Sequence, residues 1–142
     1  MIRIVVASVL LVSSLARAES LEERKYWRGQ MAMLDSDLRE ANEECEVEIT
    51  FEYIDKAEMR AAAEKGKFSP RVVCNPLIKE IARTCRDGDK RKAAVAKKAK
   101  TLQCGYSTNK TLTVKGGVVR MKATFEVTQR TNWVPDQLKA KI

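Results

Sequence analysis

Apolar residues recur at Trp27, Met31, Leu34, Leu38, Ala41 and Cys45, in alternating steps of four and three. That spacing lines one face of an α-helix. Ser20 stands ahead of the run with Glu23 three positions later, the reciprocal pair that caps helix starts. The pattern predicts one amphipathic helix from the Ser20 cap towards Cys45, weakened at Gly29 by about 1 kcal/mol relative to alanine. A stripe of about three heptads also suits a dimer through this first helix, but its shortness favours packing on its own domain.

After Cys45 the period changes to two. Val47, Ile49, Phe51 and Tyr53 alternate with Glu46, Glu48, Thr50 and Glu52, as in a half-buried antiparallel strand with an acidic outer face. Asp55 and Glu58 then suit the start of a short helix that runs through Ala61-Ala62-Ala63, with Gly66 just past its end. Residues 67–70 read as a loop.

Asn75-Pro76 reads as a helix start, a cap followed by proline in the first turn. Leu77, Ile78, Ile81, Ala82 and Cys85 form the apolar face of this helix. Arg86-Asp87-Gly88-Asp89 interrupts it. A second helix is expected over about 90–102, with Val95, Ala99 and Leu102 inward, so that the two make an antiparallel helical hairpin.

Gly116-Gly117 separates two alternating runs, 111–115 and 118–127, and signals a tight β-hairpin. A two-residue turn sets Lys115 opposite Val118, Val114 opposite Val119 and Leu112 opposite Met121. Leu112, Val114, Val119, Met121, Ala123, Phe125 and Val127 then share one face. The overhang of the longer strand is free to pair with 47–53. Asn132-Trp133-Val134-Pro135-Asp136 reads as a turn before a short amphipathic end, with Trp133 packed on the domain.

These elements predict an α+β fold. Its small antiparallel sheet, about three strands including the Gly-Gly hairpin, packs against an N-terminal amphipathic helix and a helical hairpin. With 142 residues, 44% hydrophobic and 32% charged, the chain can build one core.

The N-terminus changes where this fold is expected to be. Met1-Ile2-Arg3, an apolar run over 4–15 and Ala16-Arg17-Ala18 have the form of a signal peptide over 1–18, cleaved before a single domain over 19–142. The run is 12 residues, short of the roughly 20 that span a bilayer. No other long apolar run follows, so no membrane span is expected. The expected destination is the periplasm or the medium.

Cys45, Cys74, Cys85 and Cys104 all lie beyond the cleavage site, and an even count in an oxidising compartment implies two disulfides. Three connectivities are formally open. Cys74 and Cys85 lie eleven residues apart, about 16 Å along one helix, too far to bond. Cys74 opens the helical hairpin and Cys104 closes it, which favours Cys74–Cys104 and leaves Cys45–Cys85. Metal ligation by these cysteines is disfavoured, because there is no C-x-x-C and no histidine.

Charge is unevenly distributed. Residues 19–67 hold 14 acidic and 8 basic groups, whereas 68–142 hold 5 acidic and 17 basic. Arg83, Arg86, Lys90, Arg91, Lys92, Lys97, Lys98 and Lys100 concentrate the excess on the helical hairpin, and Arg83, Arg86, Lys90 and Lys97 suit a shared face. Arg83, Arg86, Lys90, Arg91, Lys97 and Lys98 are the candidate partner-binding residues. Such a ridge attracts phosphates, anionic lipid or an acidic protein surface. It contains no aromatic residues for base stacking, which argues against a dedicated nucleic-acid site.

Catalysis is not expected. Without histidine, a Ser-His-Asp or Cys-His site cannot form. No phosphate-binding glycine motif is present, and no cofactor or metal is implied. Asp35-Ser36-Asp37 is too short for a calcium loop. Asn109-Lys110-Thr111 matches a glycosylation sequon, relevant only to a eukaryotic secretory route. Glu46, Glu48 and Glu52 are expected on one flat strand face, where a carboxylate-only hydrolase would need a cleft. The expectation is a small exported, non-catalytic binding protein, accessory or inhibitor-like, that binds a macromolecule through the basic hairpin or a sheet edge. The alternatives are an envelope-associated polyanion binder and, less favoured, the carboxylate hydrolase.

Overall fold

The computed structural model describes residues 19–142. The predicted signal segment lies outside the described residues. The expected long first helix is two helices, α1 (Leu21–Ala32) and α2 (Asp35–Cys45). Ser20 caps α1 by accepting from the Glu23 amide at 3.1 Å. The chain turns at Met33-Leu34, where the Leu34 amide donates to the Met31 carbonyl. The apolar stripe therefore serves two surfaces. Trp27 meets Tyr53 on the sheet, with ring centroids 5.0 Å apart, while Leu34, Ala41 and Cys45 are buried in the shared core. The stripe that suits a dimer is thus used within the chain.

Glu46 ends α2 in the left-handed region, and β1 (Thr50–Tyr53) begins later than expected. Asp55 occupies the N-cap position of α3 (Lys56–Gly66) but makes no side-chain capping bond, and Lys67, not Gly66, takes the left-handed residue that ends the helix.

The next helix, α4 (Pro70–Arg86), starts well before Asn75-Pro76. Pro70 occupies the first turn, where a missing amide is harmless, and Pro76 lies inside the helix. A mid-helix proline strips the carbonyl four residues back of its donor. Here the Gln129 side-chain amide donates to that carbonyl, on Val72, and also reaches Asn75 Oδ1 at 3.1 Å. A residue 53 positions away in sequence thus repairs the helix. Ten of the 17 residues of α4 are buried, which makes it the central helix.

Helix α5 (Asp89–Lys98) ends before Leu102, and β2 (Thr101–Tyr106) follows where more helix was expected. Val95, Ala99 and Leu102 are all fully buried, so the inward positions hold although the last belongs to a strand. The hairpin strands are β3 (Thr111–Lys115) and β4 (Val118–Ala123), in the predicted register. Gly116 and Gly117 turn at φ 60° and 79°, a conformation that side chains beyond glycine resist. Thr124 stops β4 by capping α6 (Phe125–Arg130) with its hydroxyl. Phe125 and Val127 are therefore helical rather than an extension of the strand. Helix α7 (Trp133–Lys141) closes the chain, and Trp133 packs, partly buried, against the core.

The α+β class and both disulfides are present, with Cys45–Cys85 and Cys74–Cys104 bonded. The sheet differs from the expected one. Among the described residues it has four strands in the order β1-β2-β4-β3. β1 pairs with β2, and β2 with β4, in parallel; only the β3–β4 hairpin is antiparallel. β2 occupies the place expected for direct pairing between 47–53 and the hairpin. Gly105 lets Ile54 pass close by: a Cβ there would meet the Ile54 carbonyl at 3.1 Å.

Candidate functional site

Ten residues of α5 rise about 15 Å, which divides the predicted basic ridge into two ends. At the α4–α5 junction the arginines are paired. Arg83 grips the Glu80 carboxylate through Nε at 3.0 Å and Nη2 at 2.7 Å. Arg86 reaches Glu40 at 3.0 Å and Glu44 at 3.5 Å on α2, and Lys92 reaches Glu46 at 3.5 Å. The hydrogen bonds that Arg83 donates to Glu80 and Arg86 donates to Glu40 are the main causes that raise the two arginines' pKa above the usual guanidinium value. The Cys45–Cys85 disulfide fixes α2 against α4 beside these pairs. Lys90 and Arg91 make no ion pair among the described residues, yet Arg91 shares a recess with Glu80, Asp87 and Asp136.

The other end holds Lys97 and Lys98 from the last turn of α5, then Lys100. The fold brings Lys115 from the hairpin tip and Lys141 from the end of α7 to the same place. These five lysines surround a recess of about 440 Å³, completed by Val114, Gly116 and Gly117 and containing no acidic residue. Two backbone bonds hold the parts together: the Lys100 and Thr101 amides both donate to the Gly117 carbonyl, at 2.9 and 3.1 Å. The Lys141 ammonium donates to the Leu112 carbonyl. That contact also occupies the outer edge of β3, as lysines on edge strands do. Part of the lysine charge answers the negative ends of α5 and α7; Lys115, on a hairpin, has no such role.

The structure thus separates Arg83, Arg86, Lys90 and Arg91 from Lys97 and Lys98. Sequence reasoning missed Lys115 and Lys141. The hairpin register exposes Lys115 at the turn, but nothing along the chain places that turn against the end of α5.

The three glutamates do not share a strand face. Glu46 is the left-handed cap of α2 and Glu48 precedes β1. Glu52 alone lies on the strand, accepting from Gln103, whose carbonyl oxygen accepts from Arg120 Nε at 2.9 Å. All four cysteine sulfurs are in disulfides, which removes them as nucleophiles or metal ligands in the oxidised chain.

A further recess, of about 400 Å³, lies between α1 and β1 and is lined by Arg24, Trp27, Arg28, Met31, Phe51 and Tyr53 among others. Trp27 Nε1 is buried without a hydrogen-bond partner. The Tyr53 hydroxyl donates to the Gln30 carbonyl at 3.4 Å, and burial raises its pKa above the ordinary 10.0.

Among the described residues no helix is long and apolar enough to cross a membrane. No protein-family model, curated protein or solved structure matches this chain.

Proposed function

We propose that this chain is an exported, non-catalytic binding domain that holds an acidic macromolecule by charge at its lysine-lined end. The carrying observation is the convergence of five lysines from three separate parts of the fold on one recess without a carboxylate. Export rests on the signal-like segment over 1–18, and the two disulfides suit an oxidising compartment. Of the two routes expected from sequence, a specific interface on the basic hairpin is weakened by the pairing of Arg83 and Arg86. A polyanion binder needs only unneutralised charge, and lysines supply it as point charges without fixed geometry.

The test is binding of the disulfide-bonded protein to immobilised dextran sulfate, a simple linear polyanion, over a range of salt. Affinity should fall steeply with salt, with a log–log slope of about −3.5 if five charges are neutralised on a flexible chain. A K97Q/K98Q/K100Q variant should bind about a hundredfold more weakly, roughly fivefold for each lysine. An unchanged affinity in that variant would overturn the proposal. The α1–β1 recess favours a second reading, a specific protein partner, because Trp, Tyr and Arg are the residues that dominate such interfaces. That reading predicts salt-resistant binding lost on Arg28→Ala and indifferent to the lysines.

A further inference from the structure

We infer that the lysine recess takes a condensed phosphate chain, in which phosphate follows phosphate with no sugar or base between. The inference rests on the proposed function and narrows its ligand. The lining contains ammonium groups, one valine side chain and the glycine backbone of a turn. It contains no Asn, Gln, Ser or Thr to pair with sugar hydroxyls. It has no aromatic ring to stack on a base or a sugar face. A nucleic acid or a sulfated polysaccharide would leave most of its distinguishing groups unrecognised there. A ligand whose only chemistry is dense negative charge would leave none.

Shape argues the same way. The recess is concave and its lysines come from α5 and its exit, the β3–β4 turn and the end of α7, so they face a ligand from several sides. A flat bilayer would meet only the outermost of them. Among the described residues, large apolar side chains that could insert into a bilayer are not at this rim: the exposed ones, Leu21 and Met33, are at the start of α1 and at its end. The tip is also open, since a Cβ at Gly116 would meet nothing within 4 Å. The ligand can therefore approach the turn closely.

The experiment is titration of the disulfide-bonded protein with sodium tripolyphosphate and with orthophosphate at equal ionic strength, followed by calorimetry and by backbone amide NMR shifts. Tripolyphosphate should bind at least tenfold more tightly, at one site, and should shift the amides of Lys100, Gly116 and Gly117. Lys115→Gln and Lys141→Gln should each weaken it roughly fivefold, while Arg83→Gln should leave it unchanged. Comparable affinity for the two phosphates would overturn the inference. So would shifts centred on Arg83, Lys90 and Arg91, or binding to phosphatidylglycerol vesicles that tripolyphosphate does not displace. If any of these occurs while dextran sulfate still binds in a lysine-dependent way, the inference falls and the proposed function stands. If dextran sulfate also fails to bind, both fall.

Discussion

The two ends of α5 are built from similar cations and differ in what surrounds them. At its start, Arg83 and Arg86 are neutralised by Glu80, Glu40 and Glu44, and a disulfide clamps the helices that carry them. At its far end, five lysines face one another across a recess without a carboxylate. Arginine's planar fork suits fixed carboxylate partners, whereas lysine's hydrated ammonium suits a solvated site that a ligand can enter. The first end has the character of structure, the second that of a surface held at some electrostatic cost. Charge counted along the sequence cannot separate them, because it counts cations and not their partners.

The largest test of this contrast removes the clamp. A C45S/C85S variant should lose about 2 to 5 kcal/mol of stability in chemical denaturation. The lysine end should still bind its polyanion in the fraction that remains folded. Loss of binding in step with the disulfide, in a protein still folded by circular dichroism, would show that the two ends are one unit.

The lysine variant K97Q/K98Q/K100Q probes the opposite end. Its melting temperature should stay the same or rise slightly, because like charges are being removed, even as polyanion binding falls. A marked drop in melting temperature would mean that these lysines are structural after all.

Alkaline pH sharpens the comparison in another way. The carboxylates raise the pKa of Arg83 and Arg86, so the paired end keeps its charge past the pH at which Tyr53 begins to matter. Burial keeps the Tyr53 phenol protonated in the fold, while in the unfolded chain it ionises near its ordinary value of 10.0. Stability should therefore be insensitive to this group below about pH 10 and should fall as pH rises above it. Tyr53→Phe should flatten that alkaline limb in urea titrations, at a fixed cost of about 1 kcal/mol for the lost hydrogen bond.

The smallest expected effect belongs to the best-formed exposed pair. Arg83→Gln should cost a few tenths of a kcal/mol, because the Arg83 side chain is 58% exposed and solvent screens such pairs. A loss above 1 kcal/mol would give the arginine end more structural weight than its exposure allows.

Local signals were legible where they are self-contained. The Ser20–Glu23 cap and the hairpin register around Gly116-Gly117 need only neighbouring residues, and both match the structure. The cysteine pairing was also reachable: with Cys74 and Cys85 on one helix, helix rise excludes a bond between them, and closure of the helical hairpin favours Cys74–Cys104 over the remaining alternative. The errors share a different cause. Pro76 reads locally as a helix start, and only Gln129, reaching the Val72 carbonyl, allows the helix to pass through it. Leu102 fits a helical spacing with Val95 and Ala99, so the strand over Thr101–Tyr106 was hidden inside a helical pattern.

By itself, then, the sequence determined the α+β class, the two disulfides, the hairpin and the excess of positive charge in the second half. Periodicity, turn chemistry and chain reach suffice for these. Tertiary structure decided the parallel central pairing, the split of the first helix and, above all, which cations stand together without a carboxylate. Lys115 and Lys141 join Lys97, Lys98 and Lys100 only because the Gly117 carbonyl binds the start of β2 and Lys141 reaches the edge of β3. Those are contacts between distant segments, and a site made of them exists only once the chain has folded.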